Sequence, residues 1–126
     1  MNLESFVSRI RGAAPAGTVF RNPGGGTSEI IASTDAVITY LRGKSKITVS
    51  FDDLFEAYTS FRGKRCTTSD LRKFNPAVFD SQARPAGHSC NATFLFTLLR
   101  HTGLAGDING EGKSGSPFFI DVSASD

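Results

Sequence analysis

Tryptophan is absent from this 126-residue chain, and cysteine and histidine each occur only twice. Two cysteines do not make the disulfide framework that staples small secreted folds. No apolar run approaches the ~20 residues that a bilayer-crossing helix needs, so no membrane partner is expected. The chain does not open with a charged n-region followed by an apolar h-region, so no secretory signal is expected. Reduced thiols and a cytoplasmic location follow as expectations. No internal repeat and no linker divides the sequence. One domain over residues 1–122 and a flexible tail from Ser123 to Asp126 are expected.

What the chain does have is concentrated in one stretch, Gly87-His88-Ser89-Cys90-Asn91-Ala92-Thr93-Phe94-Leu95-Phe96-Thr97-Leu98-Leu99-Arg100-His101-Thr102-Gly103. Its apolar residues cover most of a helical circumference, which predicts a buried central helix from Thr93 to Thr102. Ser89 or Asn91 can cap its start. Arg100 and His101 suit the negative end of the macrodipole, and Gly103 suits the left-handed residue after the helix.

The flanking elements have their own signals. Leu3, Phe6, Val7 and Ile10 form a helical stripe behind a capping Asn2. Val37–Arg42 and Lys46–Ser50 read as a hairpin whose Gly43-Lys44 suits a type II′ turn, with further strands at Glu29–Ala32 and Pro117–Val122. Ser50 with Asp53 resembles a capping box ahead of Leu54, Phe55, Tyr58 and Phe61. Lys64-Arg65-Cys66 reads as a short connection to a helix capped by Thr67 or Thr68 and stopped by Asn75-Pro76. Ala77 to Phe79 can add one more turn, and Ser81 to Gly87 reads as a loop. The fold class is therefore α+β: a small, mostly antiparallel sheet with a basic hairpin, packed against about four helices, one of them central and buried.

Several motifs invite chemistry. His88, Ser89, Cys90 and Asn91 form a candidate reactive site, because a thiol at a helix N-terminus ionises more easily and a histidine could serve as its base. The plain alternative is that Cys90 is a small core residue and His88 a loop hydrogen-bonder. A zinc site using Cys66, His88, Cys90 and His101 fails on reach, since eleven helical residues separate the last two by ~16 Å. A three-ligand version with Cys66, His88, Cys90 and a carboxylate survives that objection. Asp107 to Gly112 matches the first half of a calcium loop, but Phe118 stands where its bidentate Glu is needed. Gly112-Lys113-Ser114 ends like a P-loop, yet Asp107 occupies the place of the first glycine. The Asn22–Gly26 run has neither a Walker lysine nor a following helix. Asn91-Ala92-Thr93 matches a glycosylation acceptor by chance, inside an expected buried helix start. No cofactor is implied.

The net charge of +2 is mild, but its distribution is uneven. Eight of the fourteen Lys and Arg lie between Arg42 and Lys73, against four acidic residues in that span. Arg42, Lys44 and Lys46 belong to the hairpin tip. Arg62, Lys64 and Arg65 belong to the connection between two helices, and Arg72 and Lys73 to the second of them. A basic hairpin beside a helix pair is the inventory of a winged-helix-like binder, although the hairpin comes first here. The leading expectation is a non-enzymatic nucleic-acid-binding domain, more plausibly for DNA, using these eight residues. The alternatives are a small enzyme centred on His88 and Cys90, or a module that binds a protein partner.

Overall fold

The computed structural model describes residues 1–83 and 87–126; of the expected Ser81–Gly87 loop, residues 84–86 lie outside it. Helix α1 spans Leu3–Ala13. Asn2 Oδ1 accepts from the Ser5 N–H at 2.8 Å, while Ser5 Oγ accepts from the Asn2 N–H at 3.1 Å. This reciprocal cap satisfies two orphan donors and starts the helix where the stripe begins.

Four strands follow as an antiparallel meander: β1 Val19–Arg21, β2 Thr27–Ser33, β3 Val37–Arg42 and β4 Ser45–Ser50. Gly43 has φ +60° and Lys44 does not enter the left-handed region, so the β3–β4 turn is the expected II′. Register shifts between Ile30 and Ala32, which leaves Ile31 as a bulge. Ser50 ends β4 and also caps α2, Phe51–Phe61, through the Asp53 N–H at 3.1 Å.

Two expectations about connectivity are corrected. The α2–α3 link is not a bare turn: Arg65–Thr67 is a strand, β5, paired antiparallel with β6, Phe119–Asp121. The final strand therefore does not join the main sheet. It is captured by the segment after α2, because Val122 donates to the Lys64 carbonyl and Thr68 to that of Phe118. Helix α3 is Thr68–Phe74, with a Thr67–Asp70 capping box, and α4 is the single turn Pro76–Phe79. Helix α5 runs Cys90–His101, and Gly103 follows it at φ +77°. The domain is thus α+β, with five helices, a four-stranded sheet and a two-stranded one among the described residues. No helix among the described residues is long and apolar enough to cross a membrane.

The core lies between α5 and the inner face of the large sheet. Phe94, Leu95, Phe96, Leu98 and Leu99 are all buried, as the all-round apolar pattern requires. Tyr40 stacks on Phe94 with ring centroids 3.7 Å apart. Its hydroxyl donates to Asn91 Oδ1 at 2.7 Å, and Asn91 Nδ2 donates to the Val78 carbonyl at 2.9 Å. One buried polar chain therefore ties sheet, α5 and α4 together. Burial first, then the neighbouring Cys90, pushes the Tyr40 hydroxyl well above its ordinary pKa, so it stays a donor.

At the chain end, read above as a loose tail, Ser123 donates to the Leu104 carbonyl at 2.9 Å. Arg62 donates to the Ala124 carbonyl at 2.8 Å and pairs with Asp126, which also meets the Met1 amine at 3.0 Å.

Leu98→Ala is expected to cost ~2–5 kcal/mol in urea unfolding, the range for truncating a buried leucine. Tyr40→Phe removes only the hydroxyl and leaves Asn91 Oδ1 without its donor. It is expected to cost ~1–3 kcal/mol, as for any orphaned buried acceptor. Values under half a kilocalorie for both would place α5 outside the core.

Candidate functional site

Strand register decides where the basic residues go. Phe20, Ser28, Arg42 and Ser45 are cross-strand partners in one row. The next inward row, Ile30, Tyr40 and Ile47, is fully buried, so both rows lie on the inner face. Lys46 pairs with Leu41 and belongs to the outer face. The hairpin tip does not present Arg42 and Lys46 on one side, because adjacent positions alternate across the sheet. Lys44, in the exposed turn, lies beyond both.

Helix α5 crosses this inner face. Thr93, Thr97 and His101 recur at i, i+4 and i+8, which aligns them along one side of the helix. Arg42 Nη1 donates to Thr93 Oγ1 at 3.4 Å. At the other end the His101 ring meets Phe20 edge-on at 5.1 Å, and its Nε2 lies 2.7 Å from the Ala13 carbonyl. Between them, Phe20, Arg21, Thr97, Arg100 and His101 line a groove of about 370 Å³. A second groove of about 460 Å³ shares Arg21 and Arg100, is also lined by Asp107, and continues to Asn22 and Asn109.

Arg21, at the end of the edge strand β1, lines both grooves with Arg100, and His101 lines the first, while Arg42 meets the same helix at Thr93 without lining either. Arg21 and Arg42 have no carboxylate partner among the described residues. Arg100 donates to Asp107 at 3.0 Å, but both side chains are well exposed. Such a surface pair contributes only ~0–1 kcal/mol and opens readily for a competing anion. The carbonyls of Leu98, Leu99 and Arg100 accept from Thr102, Leu104 and Gly103, so the negative end of α5 is capped and the side chains set the charge.

Other expected contacts lie elsewhere. Arg65 pairs with Asp121 at 2.9 Å and covers the Phe119 ring at 4.3 Å. That pair holds the Asp121 carboxyl below its usual range and raises the guanidinium, chiefly through their mutual hydrogen bonds. Arg62 is held against Tyr58 and the chain end. Arg72 donates to Ser69 on its own helix at 3.1 Å. Lys64 and Lys73 are exposed.

The alternative reactive residues are separated by their roles. The exposed His88 donates its backbone N–H to the Val78 carbonyl at 3.0 Å, and no hydrogen bond joins its ring to Cys90 among the described residues. Ser89 Oγ accepts from Ser81 Oγ at 2.8 Å, and Asn91 is committed to Tyr40 and Val78. Cys90 Sγ lies 3.4 Å from the Tyr40 hydroxyl. Among the described residues no three His, Cys, Asp or Glu side chains come together as a metal set, so the Cys66–His88–Cys90 alternative has no site.

Arg21, Arg100 and His101 were not singled out by sequence reasoning as a binding set. Arg21 ends a three-residue strand, and the other two also make sense as macrodipole partners. The one sequence signal was the i, i+4, i+8 row of Thr93, Thr97 and His101, a polar stripe on an otherwise apolar helix.

The two thiols should report their surroundings. Burial, and then the nearby Asp70, pushes the Cys66 thiol up to about 12, whereas Cys90 is only half-buried. At pH 8 one thiol per folded chain is expected to react with iodoacetamide, and two in urea. A Cys90→Ser chain that still reacts while folded would contradict this burial of Cys66.

No protein-family model, curated protein or solved structure matches this chain.

Proposed function

We propose that the chain binds nucleic acid through the groove between the hairpin end of the sheet and α5. The observation that supports this most is the groove that Arg21, Arg100 and His101 line together, with Arg42 on the same helix at Thr93 and neither Arg21 nor Arg42 in an ion pair among the described residues. Lys44 extends the same end of the sheet outward. Cations in this arrangement neutralise phosphates and release the counterions condensed on them.

The aromatic inventory favours duplex DNA over single strands. Single-strand binders stack bases on exposed aromatic rings. This chain has no Trp, and none of its Phe or Tyr side chains is exposed. Phosphate contacts without stacking suit a regular backbone. They also give affinity with little sequence preference, because phosphates carry no base identity.

The test is a titration of labelled duplex DNA, single-stranded DNA and RNA at several salt concentrations. The logarithm of affinity is expected to fall linearly with that of salt, with a slope near −0.9 per phosphate neutralised on duplex. Arg21→Ala, Arg42→Ala and Lys44→Ala should each reduce the slope by about one. Lys46→Ala, on the opposite face, should leave it unchanged. Failure of every nucleic acid to bind at ~50 mM salt, where non-specific binding is strong, would sink the proposal.

A further inference from the structure

A second cationic pocket lies away from the groove and shares no residue with it. It is a cavity of about 450 Å³ between α3 and the turn from Lys113 to Ser116, lined among others by Ser69, Arg72, Lys113, Ser114, Gly115 and Phe118. We propose that this pocket is a phosphate-binding site that takes the doubly charged phosphoryl group of a phosphate monoester.

The donors come from both walls. Arg72 is exposed on α3, and its Nη2 donates to Ser69 Oγ at 3.1 Å, which orients the guanidinium and leaves its other N–H groups free. A guanidinium presents several donors in a fixed fork that matches phosphate oxygens. Lys113 supplies a second positive charge from the facing turn, and Ser114 a hydroxyl.

The turn adds backbone donors. The Ser116 N–H donates to the Lys113 carbonyl at 2.9 Å, and Gly115 has φ +82° while Ser114 is not left-handed. This is the type II pattern, with glycine at its third position. The central N–H groups, of Ser114 and Gly115, donate to nothing within the described residues. Two free N–H groups, a hydroxyl and two cations are the donor set that a phosphate dianion uses.

The two walls are fastened to one another. The Thr68 N–H, at the start of α3, donates to the Phe118 carbonyl at 3.0 Å. Glu111 and Gly112 both donate to the Ser116 carbonyl, at 3.0 and 2.9 Å. A Cβ at Gly112 would lie 2.3 Å from the Phe118 ring, so the glycine lets the ring close the base of the pocket. Ordering the donors before the ligand arrives lowers the entropic cost of binding.

Among the described residues no carboxylate lines the pocket. Glu111 does meet Lys113 at 2.8 Å, but both side chains are largely exposed. A pair of that kind is weak and screened, and a dianion with additional donors displaces it. Helix α3 is only seven residues long, and its capping Thr67 already occupies the Asp70 N–H, so the site rests on side chains and the turn rather than on the helix end.

The experiment is an amide-shift titration of the isotopically labelled chain at constant ionic strength. The probes are inorganic phosphate, a 5′-mononucleotide and an unphosphorylated DNA duplex, with chloride as the control. Phosphate and the mononucleotide are expected to shift the Ser69, Ser114 and Gly115 amides saturably. Arg72→Ala or Lys113→Ala should weaken that binding at least tenfold. Both residues are exposed, and the same spectra report that the fold is intact. Arg21→Ala and Arg42→Ala should leave it unchanged, so this site and the DNA groove can fail separately. Shifts that are linear and equal to those of chloride would overturn the proposal. So would shifts that survive Arg72→Ala, or a response of these amides to duplex DNA but not to phosphate.

Discussion

Tyr40 meets the first turns of α5 with a ring stack on Phe94 at 3.7 Å and a hydrogen bond to Asn91 at 2.7 Å. The stack fixes the distance between helix and sheet, and the hydrogen bond fixes the helix's rotation and its position along its axis. A purely apolar contact could slide by a fraction of a turn at little cost. A buried hydroxyl that must keep its acceptor cannot, because losing that partner costs ~1–3 kcal/mol. Asn91 passes the constraint on to α4 through the Val78 carbonyl. With α5 fixed at Tyr40, Thr93 has to fall beside Arg42 and His101 beside Phe20. The groove is therefore a by-product of the core: the rotation that buries Phe94 and Leu98 turns the threonine row toward the sheet's end.

Electrostatics follows from the same placement. On the inner row Arg42 is half-buried and makes no ion pair among the described residues, so its charge is screened less than an exposed lysine's would be. Lys46, one position along β4 from Ser45, is on the far side of the sheet. Two residues of equal charge in one hairpin thus act on different surfaces, and pleat alone makes the difference.

Much of the architecture was legible in the residues, and the misses have physical causes. The Asn2, Thr67 and Gly103 signals act over three or four residues, so local chemistry sufficed. The all-round apolar run of α5 could only belong to a buried helix. Strand β5 could not be read, because the alternation of Arg65-Cys66-Thr67 spans only three residues, too few to signal a strand, and the strand forms by pairing with Phe119–Asp121, more than fifty residues away. Pro117 to Val122 was recognisable as a strand, but its partner was not. The basic residues were visible as a cluster in sequence, yet Arg62 and Arg65 turn to Asp126 and Asp121 near the chain's end. Arg21 and Arg100, far apart in sequence, lie together in space. Charge counting along a chain sees neither the pleat that separates Arg42 from Lys46 nor the fold that unites Arg21 with Arg100.

The central claim is that one face, formed where α5 crosses the hairpin end of the sheet, contacts nucleic acid. Amide-shift mapping with a short DNA duplex tests it most directly, because it reports every backbone position at once. The account predicts shifts concentrated at Arg21, Arg42, Lys44, Thr93, Thr97, Arg100 and His101, with Lys46, Thr48 and the rest of the outer face unmoved. Shifts centred on that outer face, or no shifts at all at low salt, would contradict it.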